Sequence, residues 1–197
     1  NEGWADPMRQ LMKQAVQWVP GSAAWTALPD MAVRRTGAVA VALPDGRLLV
    51  AGGANDGGHC LASAEVLAAD GSGWAAVAPM SGPRQFAAAG LLPNGRVIVA
   101  GGQSATDPAS ALASAEQWDP ATDTWSSLPP MAAVRSEPAG CVLADGRFAV
   151  VGGSGVDGQM LEDAEAFDAV AGRWEPLPKM ATGRACPAVV AVPGGMV

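Results

Sequence analysis

Apolar residues arrive along this chain in short runs, each closed by turn residues, and the runs recur. Between residues 37 and 79 four runs predict four strands, at 37–43, 47–53, 63–69 and 73–79. The first, Gly37 to Leu43, is small and apolar on both faces, which suits a crowded interior strand. Asp45-Gly46, between the first two runs, fits a two-residue hairpin whose central residues both need positive φ. Asn94-Gly95 and Asp145-Gly146 repeat that chemistry. The amino-terminal stretch has a different period. Met8, Leu11, Met12, Ala15 and Trp18 fall at helical spacing behind Asp6-Pro7, a capping residue and a first-turn residue. Val19-Pro20-Gly21 would end that helix. Residues 1–22 are therefore expected to form a short helix and a linker.

The runs belong to a larger repeat. Val50-Ala51-Gly52-Gly53 returns as Val99-Ala100-Gly101-Gly102 and as Val150-Val151-Gly152-Gly153. Each glycine pair is followed by a glutamate (Glu65, Glu116, Glu165), a tryptophan (Trp74, Trp125, Trp174), a methionine (Met80, Met131, Met180) and an arginine (Arg84, Arg135, Arg184). A partial copy supplies Trp25, Met31 and Arg35. The tryptophans stand 49, 51 and 49 residues apart, a period that signals a repeat architecture. This set of landmarks, holding register over residues 24–197, resembles the kelch repeat. The family's usual tyrosine two residues after the glutamate is Leu67, Trp118 or Phe167 here.

The resemblance implies an all-β fold, a kelch-type β-propeller of four-stranded blades. Residues 23–197 would hold three complete blades plus partial blades at both ends, an incomplete ring behind the short N-terminal helix. The first partial blade is expected to be a fourth strand alone, at 23–30, and the last a first strand at 185–192. Kelch rings have about six or seven blades, so this stretch reads as part of a larger ring. A closed four-bladed ring would leave one blade a strand short.

Candidate residues divide into scaffold and surface. The paired glycines 52–53, 101–102 and 152–153 are expected where backbone packs closely or turns sharply. Each tryptophan would fill the widening gap between blades. Glutamates and arginines that recur in every copy are expected to support the blade. The competing reading has Arg35, Arg84, Arg135 and Arg184 lining one face and gripping an acidic peptide. That face would be built from loops 54–62, 103–113 and 154–162, with connections 32–36, 81–85, 132–136 and 181–185. Asp56, Asp107, Asp157, Glu162 and Asp163 there are candidates for Ca²⁺ or a basic peptide, or form a solvated rim. His59, the sole histidine, lies beside Cys60 without further ligands at workable spacing and reads as a surface residue.

Charge narrows the partners. A net charge of −7 with two lysines, Lys13 and Lys179, argues against nucleic acid and anionic membranes. No apolar run approaches the roughly 18 residues of a membrane span, and no secretory pattern opens the chain. Cys60, Cys141 and Cys186 are expected as reduced, buried thiols of a cytoplasmic protein. No cofactor or metal is expected, and no catalytic activity. A copper oxidase would need tyrosine and histidine ligands, and the chain has no tyrosine and one histidine. A mutarotase-like, carbohydrate-modifying enzyme would need a polar central pocket where the first strands are apolar. The expected function is a protein-protein interaction module that displays rigid loops to a protein partner. The resemblance implies, as its specific role, substrate recognition within a cullin-type ubiquitin ligase. The alternative is a scaffold subunit of a large structural assembly.

Overall fold

The computed structural model describes residues 13–197. Among the described residues the chain is built from short antiparallel strands, with one helical turn, a 3₁₀ segment at Pro108–Ser110. Among the described residues no helix is long and apolar enough to cross a membrane. Strands β1 (Val16–Gln17) and β2 (Thr26–Ala27) form a first, two-stranded sheet. The first complete blade follows as β3 (Val39–Ala42), β4 (Leu48–Ala51), β5 (Ala64–Leu67) and β6 (Trp74–Val77). The second is β7 (Ala88–Leu91), β8 (Val97–Ala100), β9 (Ala115–Asp119) and β10 (Thr124–Leu128). The third is β11 (Ala139–Val142), β12 (Phe148–Val151), β13 (Ala164–Asp168) and β14 (Arg173–Leu177). A closing hairpin pairs β15 (Ala191–Val192) with β16 (Gly195–Met196). In each complete blade the strands pair in sequence order, as the four-run pattern predicts. No sheet joins the two partial ends among the described residues.

Among the small, apolar first strands, β7 touches both β3 and β11, and together they line the axis. Second strands carry the core. In β8, Val97 and Val99 pack with Val41, Leu49 and Val66 of the first blade, while Ile98 and Ala100 pack with Phe148 and Phe167 of the third. Both faces of β8 are thus covered, and all four residues are wholly buried. Glycine on a first strand makes room for this packing: a Cβ at Gly140 would come within 2.7 Å of the Phe148 ring.

The glycine pair is where one blade meets the next. Both glycines take positive φ, +69° and +87° at Gly101 and Gly102. A Cβ on Gly101 would stand 2.8 Å from the Arg135 carbonyl, across the blade boundary. Gly53, Gly102 and Gly153 each donate N–H to the arginine carbonyl of the next connection, at 2.8, 2.7 and 2.8 Å. Tryptophan staples the outer edge. Nε1 of Trp74, Trp125 and Trp174 donates to the carbonyls of Pro29, Ala78 and Pro129 on the preceding blade, at 2.9, 2.7 and 2.8 Å. These three rings are half-buried, whereas Trp25 is exposed.

Two expectations are corrected. The helix placed over Asp6 to Trp18 falls partly outside the described residues, but within them Val16–Gln17 is a strand paired with Thr26–Ala27. Val16 opposes Ala27, two residues past Trp25, as Glu65, Glu116 and Glu165 oppose the residues two past Trp74, Trp125 and Trp174. Met31 N–H donates to Lys13 O, as Met80 does to Ala62 and Met131 to Ala113. Val16–Gln17 is therefore a third strand, with Val16 at the glutamate position. The first partial blade holds strands three and four. The backbone decides this: an extended segment satisfies its peptide groups on a sheet edge that a helix would leave open. The second correction concerns the cysteines. All three are free, but Cys186 is exposed and Cys60 and Cys141 are only half-buried.

Candidate protein-interaction face

The repeated arginines point inward. Arg35 Nη1 donates to the carbonyls of Gly52 and Ser63 at 2.9 and 2.8 Å, and Nη2 to Glu65 Oε1 at 3.0 Å. Glu65 in turn accepts the N–H groups of Ala32 and Val33. Arg84 pairs with Glu116 at 2.6 Å, and Glu116 accepts Ser81 N–H. Arg135 pairs with Glu165 at 2.9 Å, and Glu165 accepts Ala132 N–H. All six side chains are buried. Each pair ties the connection that enters a blade to that blade's third strand. The Nε–H of Arg35, Arg84 and Arg135 is buried without a partner among the described residues. Arg184, at the same repeat position, is exposed, and no third strand of its own blade lies among the described residues.

Two residues beyond each arginine the backbone does something unusual. Gly37, Phe86, Glu137 and Cys186 all take positive φ, at 62°, 54°, 55° and 48°. Phe86 N–H donates to Gly37 O at 2.8 Å, Glu137 N–H to Phe86 O at 3.0 Å, and Cys186 N–H to Glu137 O at 3.0 Å. This chain of hydrogen bonds links blade to blade around the axis, where each connection enters its innermost strand. The four positions and the small residues after them (Ala38, Ala87, Pro138, Pro187) line an axial recess of about 280 Å³. Phe86 lies over Gly37, where a Cβ would meet its ring at 2.7 Å, and keeps 37% of its surface exposed. Cys186 Sγ donates to Glu137 Oε2 at 3.3 Å. That hydrogen bond, then partial burial and the carboxylate's field, push the Cys186 thiol up from its ordinary value. A larger recess of about 570 Å³, lined by Arg135, Glu165 and Trp174, belongs to the scaffold contacts already described.

Loops beside the recess are braced from within. Asn55 Oδ1 accepts the N–H groups of Gly57 and His59, Asp107 Oδ1 that of Ala109, and Asp157 Oδ1 that of Gln159. Isolated bridges Thr36–Ala54, Gln85–Gln103 and Ser136–Ser154 carry each sheet up to this face. Asp56, His59, Asp107, Asp157 and Glu162 are exposed on it. Arg34 lies 3.5 Å from Asp56, and Lys179 lies 3.0 Å from Asp163.

Comparison with known proteins agrees with this geometry. Residues 88–132, which run from β7 through the second blade to Ala132, match the family model of the Kelch motif. The solved structure of YjhT superposes with a TM-score of 0.70 at 16% identity, covering 84% of this chain. The second blade carries a Kelch motif, and the blades on either side repeat its landmarks. The chain spans about half of YjhT, 52% of that chain, and at this identity the likeness carries the fold alone. No curated protein matches the sequence.

In kelch terms the described residues sort cleanly. Glycine pairs, glutamates, tryptophans and the first three arginines build and join blades. Asp56, His59, Asp107 and Asp157 share the loop face, and Arg184 stands exposed beside the last connection. Sequence reading missed Phe86, Glu137 and Cys186. Their only signal was a shared offset, two past each repeated arginine, with a different residue every time.

Proposed function

We propose that this kelch chain is a protein-binding module that reads a protein partner on its loop face, centred on the axial recess. One observation carries the reading. At the recess the backbone is the same in four successive copies, while the side chains are glycine, phenylalanine, glutamate and cysteine. Where copies agree they build the scaffold; where they differ on a fixed backbone they are free to read a ligand. Braced loops support it, because a surface ordered beforehand loses little entropy on binding.

The test uses the full chain as bait. Charge reversals at Asp56 and Asp157 should abolish capture of the partner, while reversals at Asp145 and Arg147 on the opposite face should leave it intact. Equal loss from both faces, with unchanged melting, overturns the reading. The ligase-adaptor role is its more specific form. It predicts that a cullin is captured together with the full-length protein and that ubiquitin transfer to the partner stops in the loop-face variants. The scaffold alternative draws on apolar side chains exposed on the partial blades, Val16, Trp18, Trp25, Val190 and Val197. It predicts a native particle of large mass that those variants do not alter.

A further inference from the structure

Resting on that reading, we propose that the axial recess holds a cationic side chain, lysine or arginine, from a basic segment of the partner, gripped between the Phe86 ring and the Glu137 carboxylate. Backbone strain marks the site. A non-glycine residue at left-handed φ is disfavoured by its Cβ, and glycine is the unstrained choice. Gly37 shows that glycine serves at this repeat position. Phe86 and Glu137 stand there nonetheless, at φ 54° and 55°. Their side chains are therefore what the site retains, and the backbone geometry aims both at one recess.

Chemistry then selects the ligand. An aromatic ring and a carboxylate lining one recess, the ring over Gly37 and the carboxylate at Cys186, attract a cation through ring quadrupole and charge together. Of the remaining walls, Gly37, Ala38, Ala87, Pro138 and Pro187 supply no side-chain donor for an anion, and the Cys186 S–H is already directed to Glu137. Surrounding charge points the same way. Asp56, Asp107, Asp157 and Glu162 are exposed on this face, against Arg34, which Asp56 engages, Lys179, which Asp163 engages, and Arg184. The chain as a whole carries −7, which steers basic partners toward it. Blocked ends of a peptide matter little here, since the recess admits a side chain and the acidic loops take the flanking basic residues.

Terminally blocked pentapeptides Gly-Ala-X-Ala-Gly, with X as arginine, lysine, glutamine or glutamate, test this by NMR titration of the full chain. Arginine and lysine peptides should bind about tenfold more tightly than the glutamine peptide, and the glutamate peptide should bind least. Glu137→Gln, which keeps an acceptor for Cys186, and Phe86→Gly, which places in the second repeat what the first already has, should each weaken the arginine peptide by about five- to tenfold. Both variants should melt as the parent does. Equal binding of arginine and glutamine peptides overturns the proposal, as does unchanged binding in the variants or no arginine-peptide binding at about 10 mM. If free arginine amide binds as tightly as the peptide, the recess takes a small cation and the assignment to a partner's side chain fails. Should the peptides fail while loop-face reversals still abolish capture, the recess assignment falls and the binding-module reading stands.

Discussion

A single side chain in this protein has one of two tasks, and its surroundings tell which. Glu116 lies buried with its carboxylate on Arg84 and on the Ser81 N–H. Glu116→Ala would leave the guanidinium buried without its counter-charge, a loss of about 3–5 kcal/mol, which urea unfolding would read directly. Glu137 is only partly buried and holds no other element in place through its carboxylate apart from the Cys186 thiol. Its removal should appear in reactivity. The raised Cys186 thiol stays protonated at neutral pH and should alkylate slowly with iodoacetamide. Glu137→Gln removes the neighbouring carboxylate, so the thiol should ionise at lower pH and react faster near pH 8, as site-resolved mass spectrometry would show. The sign for stability follows. The raised thiol favours the folded state below its unfolded pKa, and that contribution is lost as pH rises through the folded value.

At the scale of the strand and its connection, the tryptophan staple makes the clearest prediction. Trp125→Ala removes a half-buried ring and its hydrogen bond to Ala78, and should cost about 3 kcal/mol. Trp125→Phe should cost only about 1 kcal/mol, for the lost N–H donor. The pair of variants separates gap-filling from stapling. The complete blades were legible in the sequence because every copy spells them with the same glycine pair, glutamate and tryptophan. The third strand at Val16–Gln17 is not apparent from the periodicity. Val16 replaces the glutamate that marks such a strand, and Ala15 and Trp18 also fall on a helical period. A signal was present: Ala15-Val16-Gln17-Trp18, followed by Pro20, parallels Ala115-Glu116-Gln117-Trp118, followed by Pro120. The recess escaped for the opposite reason. A search for repeats finds what the copies share, and Phe86, Glu137 and Cys186 share only a backbone conformation that no residue type announces.

For the whole molecule, stability resides in contacts between neighbouring blades. The core divides into one cluster between the first and second blades and another between the second and third. Such an array is held by nearest-neighbour terms. Backbone amides of β8, covered on both faces, should therefore exchange slowest, and those of β1, β2, β15 and β16 first, in native-state hydrogen exchange. Exchange at equal rates throughout would contradict a core set between blades. Val16 sets the first partial blade apart from the three complete ones. In each complete blade the third strand carries a glutamate that neutralises a buried arginine, and Val16 offers no carboxylate at that register. A guanidinium shut in against this strand would stay unneutralised, at a cost of about 3–5 kcal/mol.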